Sequence, residues 1–403
     1  MRAARALIPA ALLLLSLVPV AANEARYYRD GRYLVHEIHG AIPVRLPRIR
    51  IETDLGAVHV RSAPGNEVRY RIRVRVVARG QEASRRLLDR LMIGASRSGD
   101  LVLFTGQIAD PGLLRGLAAD FEIVVPEDAS ELEIFTGGGD LVAEEFGGRA
   151  TLVTRAGNIS AGALAGSLRA ETSSGTIRIG RVGSDARLIT GGGSVHLDEA
   201  GSDVLVRTSG GDIVIGRSGG GVKVESGGGD VRIDEADGDV TVGTGGGRIT
   251  LGRIGGRVWA ATAGGGIRIG TAGGGVRCET GAGVIELQAI GGPIRAITSI
   301  GNILADLSSF RGVFGGSELQ TRQGDIIVSI PDSLAVTIRA LLDNPSAGRI
   351  RSEFPLKISR RIGGIGRPIA IAEGDIAGGG SLLTIRSLGG DIVILKSETA
   401  GRD

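Results

Sequence analysis

The sequence predicts an all-β chain, a single-chain parallel β-solenoid of about ten 18-residue coils with β-rich N- and C-terminal caps and one short helix. Three observations carry that expectation. Glycine fills 69 of 403 positions, yet aliphatic residues are plentiful and mean hydropathy is +0.16, which excludes both collagen and a disordered chain. Aromatic residues make only 3%, too few for a globular core anchored on large rings. From Thr136 the chain falls into units of 18 residues, opening at Thr136, Thr154, Thr172, Thr190, Thr208, Ser226, Thr244, Thr262 and Thr280 without a slip.

Within a unit the fourth position is always Gly, from Gly139 to Gly283, where a Cβ would disturb the backbone or its neighbour. Positions six and eight are aliphatic, as in Ile213 and Ile215, and positions 15 and 17 repeat the pattern, as in Val222 and Val224. Each unit therefore holds two short strands of period two, separated by Gly-rich turns. Two strands with one apolar face each leave that face wet in a flat stack, whereas coiling buries it. Stacked about 4.8 Å apart, ten coils rise roughly 48 Å and their aliphatic columns form one interior. Position 11 (Phe146, Leu164, Val182, Ile254, Ile290) joins that interior. Cys278, at position 17, is expected there as a core thiol.

The remaining segments follow in order. Residues 1–22 read as a signal peptide: Arg2 and Arg5, an apolar run over 7–20, then Val20 and Ala22 at the small-residue positions of a cleavage site. The expected product is exported, periplasmic or at the cell surface, with no transmembrane anchor in the mature chain. Residues 23–135 read as an N-terminal β-rich cap with strands near 49–51, 58–60, 68–77, 101–104 and 121–125 and a short helix over 82–91. Residues 136–320 are the solenoid. Its tenth unit, from Thr298 to the next start at Thr321, is stretched to 23 residues by an insertion near 307–316, expected to protrude. Residues 321–403 read as a C-terminal β cap, since open solenoid ends would polymerise.

Two outward columns stand out. Position ten reads Arg181, Glu199, Arg217, Glu235, Arg253, an alternating ladder that would favour correct stacking. Position 16 reads Arg169, Arg187, Leu205, Lys223, Thr241, Trp259, Arg277, Arg295. An exposed Trp among cations suits a sugar ring or an anionic polysaccharide.

The T-x-G-G-x-I-x-I coils, the segment Thr321-Arg-Gln-Gly-Asp-Ile-Ile-Val-Ser-Ile-Pro-Asp and the C-terminal Gly389-Gly-Asp-Ile-Val-Ile-Leu-Lys396 resemble the bacterial putative-adhesin family, across nearly the whole mature chain. That resemblance implies an exported β-solenoid of unproven function and brings no catalytic residues.

Other chemistry is weakly signalled. Less Arg2 and Arg5, 45 basic residues face 44 acidic ones, interleaved and without a concentrated basic face, so nucleic acid is not an expected partner. Gly216-Arg-Ser-Gly-Gly220 has the letters of a nucleophile elbow but falls in a solenoid turn with no helix after it. His36, His39, His59 and His196 give no convergent metal set, and Asp140, Asp212 and Asp230 lack the phase of calcium-binding nonapeptides. No cofactor is expected. The expected function is a non-enzymatic binding scaffold or adhesin with a cell-envelope polysaccharide or protein partner. The alternative is a carbohydrate-active β-helix enzyme, a polysaccharide lyase or glycosidase, which needs a localised carboxylate pair or a base beside an acid-bound calcium.

Overall fold

The computed structural model describes residues 18–19, 24–54, 56–77, 82, 87–88, 90–108, 117–308, 314–362 and 368–397. The signal segment expected over 1–22 therefore lies outside the described residues, apart from 18–19. Of the helix expected over 82–91, Glu82, Leu87 and Leu88 are helical and Leu91 already opens the strand Leu91–Ser98, the rest lying outside the described residues apart from a turn at Arg90. The centre of the insertion, 309–313, is also outside them, and its flanks Leu307 and Phe314 are buried. The chain forms two compact units, Met1–Gly137 and Gly138–Asp403.

In the second unit each repeat makes two strands, such as Ile213–Ser218 and Val222–Ser226. Corresponding strands of successive repeats pair in parallel, Ile213 beside Val231 and Val222 beside Val240, so equivalent residues superimpose coil upon coil. This is a β-solenoid. Its interior is made by positions six, eight, 11, 15 and 17: Ile213, Ile215, Ser218, Val222 and Val224 are all buried, as are Phe146, Leu164, Val182, Ile254 and Ile290. Cys278 lies in that core between Ala260 and Ala296 of the adjoining coils. A fully buried aliphatic side chain contributes about 1.5–3 kcal/mol, so every coil adds a similar increment to one continuous core.

Two polar devices set the spacing of the coils. The buried Thr of position one donates its Oγ1 hydrogen to the carbonyl of the position-four Gly on the preceding coil: Thr172 to Gly157 at 2.9 Å, Thr190 to Gly175 at 2.8 Å, Thr208 to Gly193 at 3.0 Å, Thr280 to Gly265 at 2.8 Å. The same hydroxyl accepts from its own turn, as when the Gly193 N–H donates to Thr190 Oγ1 at 3.1 Å. At Ser226 only the second contact forms, from the Gly229 N–H at 3.1 Å. The Gly itself is required by close approach: a Cβ on Gly211 would run into the carbonyl of Gly193, which is backbone and cannot swing away.

The second device is an Asx ladder at position five. Asp140 Oδ1 accepts from the Asn158 N–H (2.7 Å), Asn158 Oδ1 from Thr176 (3.0 Å), Asp212 from Asp230 (2.9 Å) and Asp230 from Arg248 (2.7 Å). The aspartates that fail the calcium phase thus tie one coil's turn to the next.

The segments read as caps are themselves built on coils. In the first unit Arg48–Thr53 and Val58–Ala63 form a coil, with Thr53, Gly56, Val58 and Val60 in the repeat's own phase. Arg48–Thr53 lies between two later strands, Leu101–Ile108 on one side and Glu131–Thr136 on the other, both parallel to it. Val58–Ala63 is likewise parallel to Leu117–Pro126. Antiparallel strands then close this unit: Leu91–Ser98 on Leu101–Ile108, and Glu67–Val77, Tyr33–Pro43 and Glu24–Asp30 in succession on Leu117–Pro126.

At the far end of the second unit the last coil, Ser381–Ser387 and Ile392–Ser397, is inserted between Ser317–Pro331 and the earlier Val336–Ser352. The Asx ladder follows this spatial order rather than chain order, running Asn302 to Asp325, Asp325 to Asp391, and Asp391 to Arg349. Antiparallel Pro368–Ile376 and Lys357–Ile362 finish one sheet of the stack, and the short parallel strand Ile350–Ser352 ends the other. The period was hidden in these segments because insertions separate the halves of a coil and because chain neighbours are not stack neighbours.

Adjacent glycines test the stacking. Gly211→Ala is expected to lower stability by about 1–3 kcal/mol through forced separation of backbones. Gly210→Ala, whose Cβ meets nothing within 4 Å, is expected to change it by less than about 0.5 kcal/mol. Urea denaturation midpoints of the two variants check this, and equal effects would contradict the close approach.

Candidate functional site

On the face formed by the second strands of the repeats, positions 14 and 16 wall a groove of about 800 Å³ that runs across successive coils. Position 16 supplies Thr151, Arg169, Arg187, Leu205, Lys223 and Thr241, and position 14 supplies Arg149, Ser167, Asp185, Asp203, Gly221 and Asp239. The floor is position 15, where Ala150, Leu168, Ala186, Val204 and Val222 point into the core and are buried. The strand's alternation thus dictates the groove: inward 15 and 17 leave 14 and 16 outward.

Cross-strand register aligns the whole column from Arg169 through Arg187, Leu205, Lys223, Thr241, Trp259 and Arg277 to Arg295. Trp259 is 40% exposed. It stands one coil past Thr241, beyond the groove's lining, as do Arg277 and Arg295.

The cations of this column are engaged by carboxylates, for Arg169, Lys223 and Arg277 two residues along the same strand and for Arg187 and Arg295 on a neighbouring coil. Arg169 meets Glu171 at 2.9 Å, with Arg187 also 3.8 Å from Glu171; Lys223 meets Glu225 at 3.1 Å, and Arg277 meets Glu279 at 2.7 Å. Arg295 reaches Glu318 on the next coil at 3.0 Å. The bonds from Lys223 and Arg207 hold the Glu225 carboxyl below the usual carboxylate range. Sequence reading passed over these glutamates, although residues i and i+2 of a strand share a face and the signal was present at position 18.

Two aspartates of the opposite wall are committed as well. Asp203 Oδ1 accepts from the Gly221 N–H at 2.7 Å, and Asp239 Oδ1 from the Arg257 N–H at 2.7 Å. That backbone bond, together with the Arg257 guanidinium at 2.9 Å, lowers the Asp239 carboxyl. The face therefore presents ordered charge pairs on several of its coils.

The position-ten residues Arg181, Glu199, Arg217, Glu235 and Arg253 are in register. Arg181 lies 3.6 Å from Glu199 and Arg253 2.6 Å from Glu235. Arg217 leans to Glu235 (3.8 Å) and Asp237 (3.4 Å), and among the described residues no ion pair joins it to Glu199. Asp237 occupies a turn position that is Gly in most coils, and so offers a partner that the alternating column lacks. These pairs are largely exposed and each contributes about 0–1 kcal/mol.

Ser218 of the elbow-like string is a core residue whose hydroxyl donates to the Ser202 carbonyl at 2.8 Å. His36 stacks on Tyr27 at 4.2 Å, His39 meets Glu37 at 2.6 Å and His196 meets Asp198 at 2.8 Å. Among the described residues no three His, Cys, Asp or Glu side chains converge on a metal position, and no helix is long and apolar enough to cross a membrane.

Burial pushes the Cys278 thiol well up, away from thiolate. It is expected to resist a disulfide-type thiol reagent in the folded protein and to react fully in denaturant. Modification of the native protein at the rate of a free thiol would contradict the core placement.

Comparison with protein-family models and with curated proteins gives no match. Solved structures similar to the chain include a "putative cell adhesion protein" from Clostridium sporogenes, 9% identical over 89% of this chain and 99% of that one, with a TM-score of 0.17. They also include a "putative adhesin" from Bacteroides fragilis, 11% identical over 90% of this chain and 97% of that one, with a TM-score of 0.21. At TM-scores of this size nothing is transferred from either; the solenoid stands on the register of this chain's own strands.

Proposed function

We propose that the protein is a non-enzymatic, adhesin-like binding scaffold, exported to the periplasm or cell surface, whose solenoid wall holds an extended acidic polysaccharide of the cell envelope. The observation that carries this reading is the groove across the coils, where the same pair of positions recurs at every step. A linear polymer laid along it meets a cation, hydroxyl or carboxylate at one of the two positions on each coil. Single contacts are weak because Arg169, Arg187 and Lys223 are already partnered by Glu171 and Glu225. Repetition along one chain converts weak contacts into retention. Trp259, next in the column, adds an exposed ring for a sugar face.

A general acid of a glycosidase needs a raised carboxyl. The carboxyls that the structure shifts, Glu37, Asp100, Glu225 and Asp239, are all lowered. Those of the solenoid face are tied to backbone N–H groups or cations, which favours holding over turnover.

Incubation with immobilised polygalacturonate or alginate tests the reading. Retention without release of shorter saccharides is expected, weakening with added salt and falling several-fold both in Arg187→Ser combined with Lys223→Ser and in Trp259→Ala. Release of cleaved product would make the protein an enzyme, and retention unchanged in both variants would move the site off this face.

A further inference from the structure

We propose that the outer face of the first unit carries an oxyanion site centred on Arg61 and Arg69, which takes a sulfate, phosphate or carboxylate group. The site is a product of strand register. Tyr33–Pro43, Glu67–Val77, Leu117–Pro126 and Val58–Ala63 lie side by side in that order. Along Glu67–Val77 the residues Val68, Tyr70, Ile72, Val74 and Val76 are buried, which turns Arg69, Arg71, Arg73 and Arg75 to the other face.

Three of those arginines have close carboxylates: Arg71 lies 3.3 Å from Glu122, Arg73 binds the same Glu122, and Arg75 lies 2.5 Å from Asp120. Among the described residues Arg69 has only Glu67, at 3.9 Å. Arg61 forms no ion pair within 4 Å among the described residues. Both Arg61 and Arg69 take Val124 as cross-strand neighbour, one from each side, so two guanidiniums with little counter-charge flank one apolar side chain on the same face.

A cavity of about 330 Å³ opens there, lined by His39, His59, Arg61, Arg69, Arg71 and Glu122 among others. Its single carboxylate is already shared by Arg71 and Arg73. Val124 offers no acceptor to compete for the two forks, whereas an oxyanion presents acceptors in the spacing that guanidinium groups bind in pairs. The group is either a free ion or pendant on an acidic saccharide. This inference does not depend on the solenoid groove, which lies in the other unit.

The test is titration of the full chain with sodium sulfate, with inorganic phosphate and with a short sulfated oligosaccharide at constant ionic strength, followed by calorimetry. Saturable binding of sulfate or phosphate is expected, weakened at least about tenfold in Arg61→Ser combined with Arg69→Ser and unchanged in Arg178→Ser, an exposed arginine that lines neither the cavity nor the groove. Both arginines of the pair are exposed, so an unaltered thermal midpoint checks that the variant is folded. With the groove's cations removed by Arg187→Ser and Lys223→Ser, tighter binding of the saccharide than of sulfate identifies a pendant group, and equal binding a free ion. No saturable binding of sulfate or phosphate, or affinity unchanged in the Arg61/Arg69 variant, or lost in Arg178→Ser, overturns the site.

Discussion

The contact on which the rest of the structure depends is the approach of one coil's backbone to the next at the position-four glycine. There the chain comes close enough that a methyl group cannot be admitted, and the buried threonine hydroxyl of the following coil closes on that glycine's carbonyl. A hydrogen bond of this kind contributes only about 1 kcal/mol net, but an unpaired buried hydroxyl or carbonyl costs more than a formed one gains. Register is therefore enforced by penalty as well as by attraction. A slip of one residue would turn the aliphatic columns outward, and in one direction would bring a position-five side chain such as Asp212 or Asp230 into the glycine's place. Because each coil meets only its neighbours, the same small set of contacts, repeated, holds the whole stack.

The solenoid was legible from residues alone because its signals are local and periodic: Thr208, Gly211, Ile213, Ile215, Val222 and Val224 announce strand, turn and inward face within one unit. The caps were less legible. Thr53, Gly56, Val58 and Val60 repeat the coil signature, but their partners Leu101–Ile108 and Leu117–Pro126 are distant in sequence and joined to them through antiparallel strands. Spacing along a chain cannot reveal that the last coil is inserted beneath an earlier one. The position-16 column was visible as a column; its glutamate partners were equally visible but unread, and the opposing aspartates became a wall only once the turns were placed. The cluster around Arg61 and Arg69 was invisible, since it is assembled by register between strands that lie apart in the chain.

The terminal arrangements solve a problem common to open β-stacks. An exposed parallel edge would recruit another chain. At the start of the first unit antiparallel strands cover that edge, and at the end of the second they cover it in the sheet of Val336–Leu342, while the other sheet ends on the three-residue parallel strand Ile350–Ser352. The outermost of the antiparallel strands, Glu24–Asp30 and Lys357–Ile362, are almost wholly exposed and rich in charge, which discourages further pairing. Inserting the first and last coils between other coils also denies each stack a free terminal coil that could peel away alone.

A wall of superimposed positions is what makes a repetitive binding face available, so the functional reading inherits its validity from the stacking. Pulsed electron-spin distances between labels on the outward column that begins at Arg178 measure that stacking directly, in a Cys278→Ala background whose neighbours in the column are already Ala260 and Ala296. With one label at Arg178 and the other at Thr250 or at Arg268, four and five coils away in register, coil-upon-coil stacking gives separations of about 19 Å and about 24 Å, rising by one strand spacing per 18 residues. Separations that do not climb in that step, or that ignore the 18-residue phase, would contradict it.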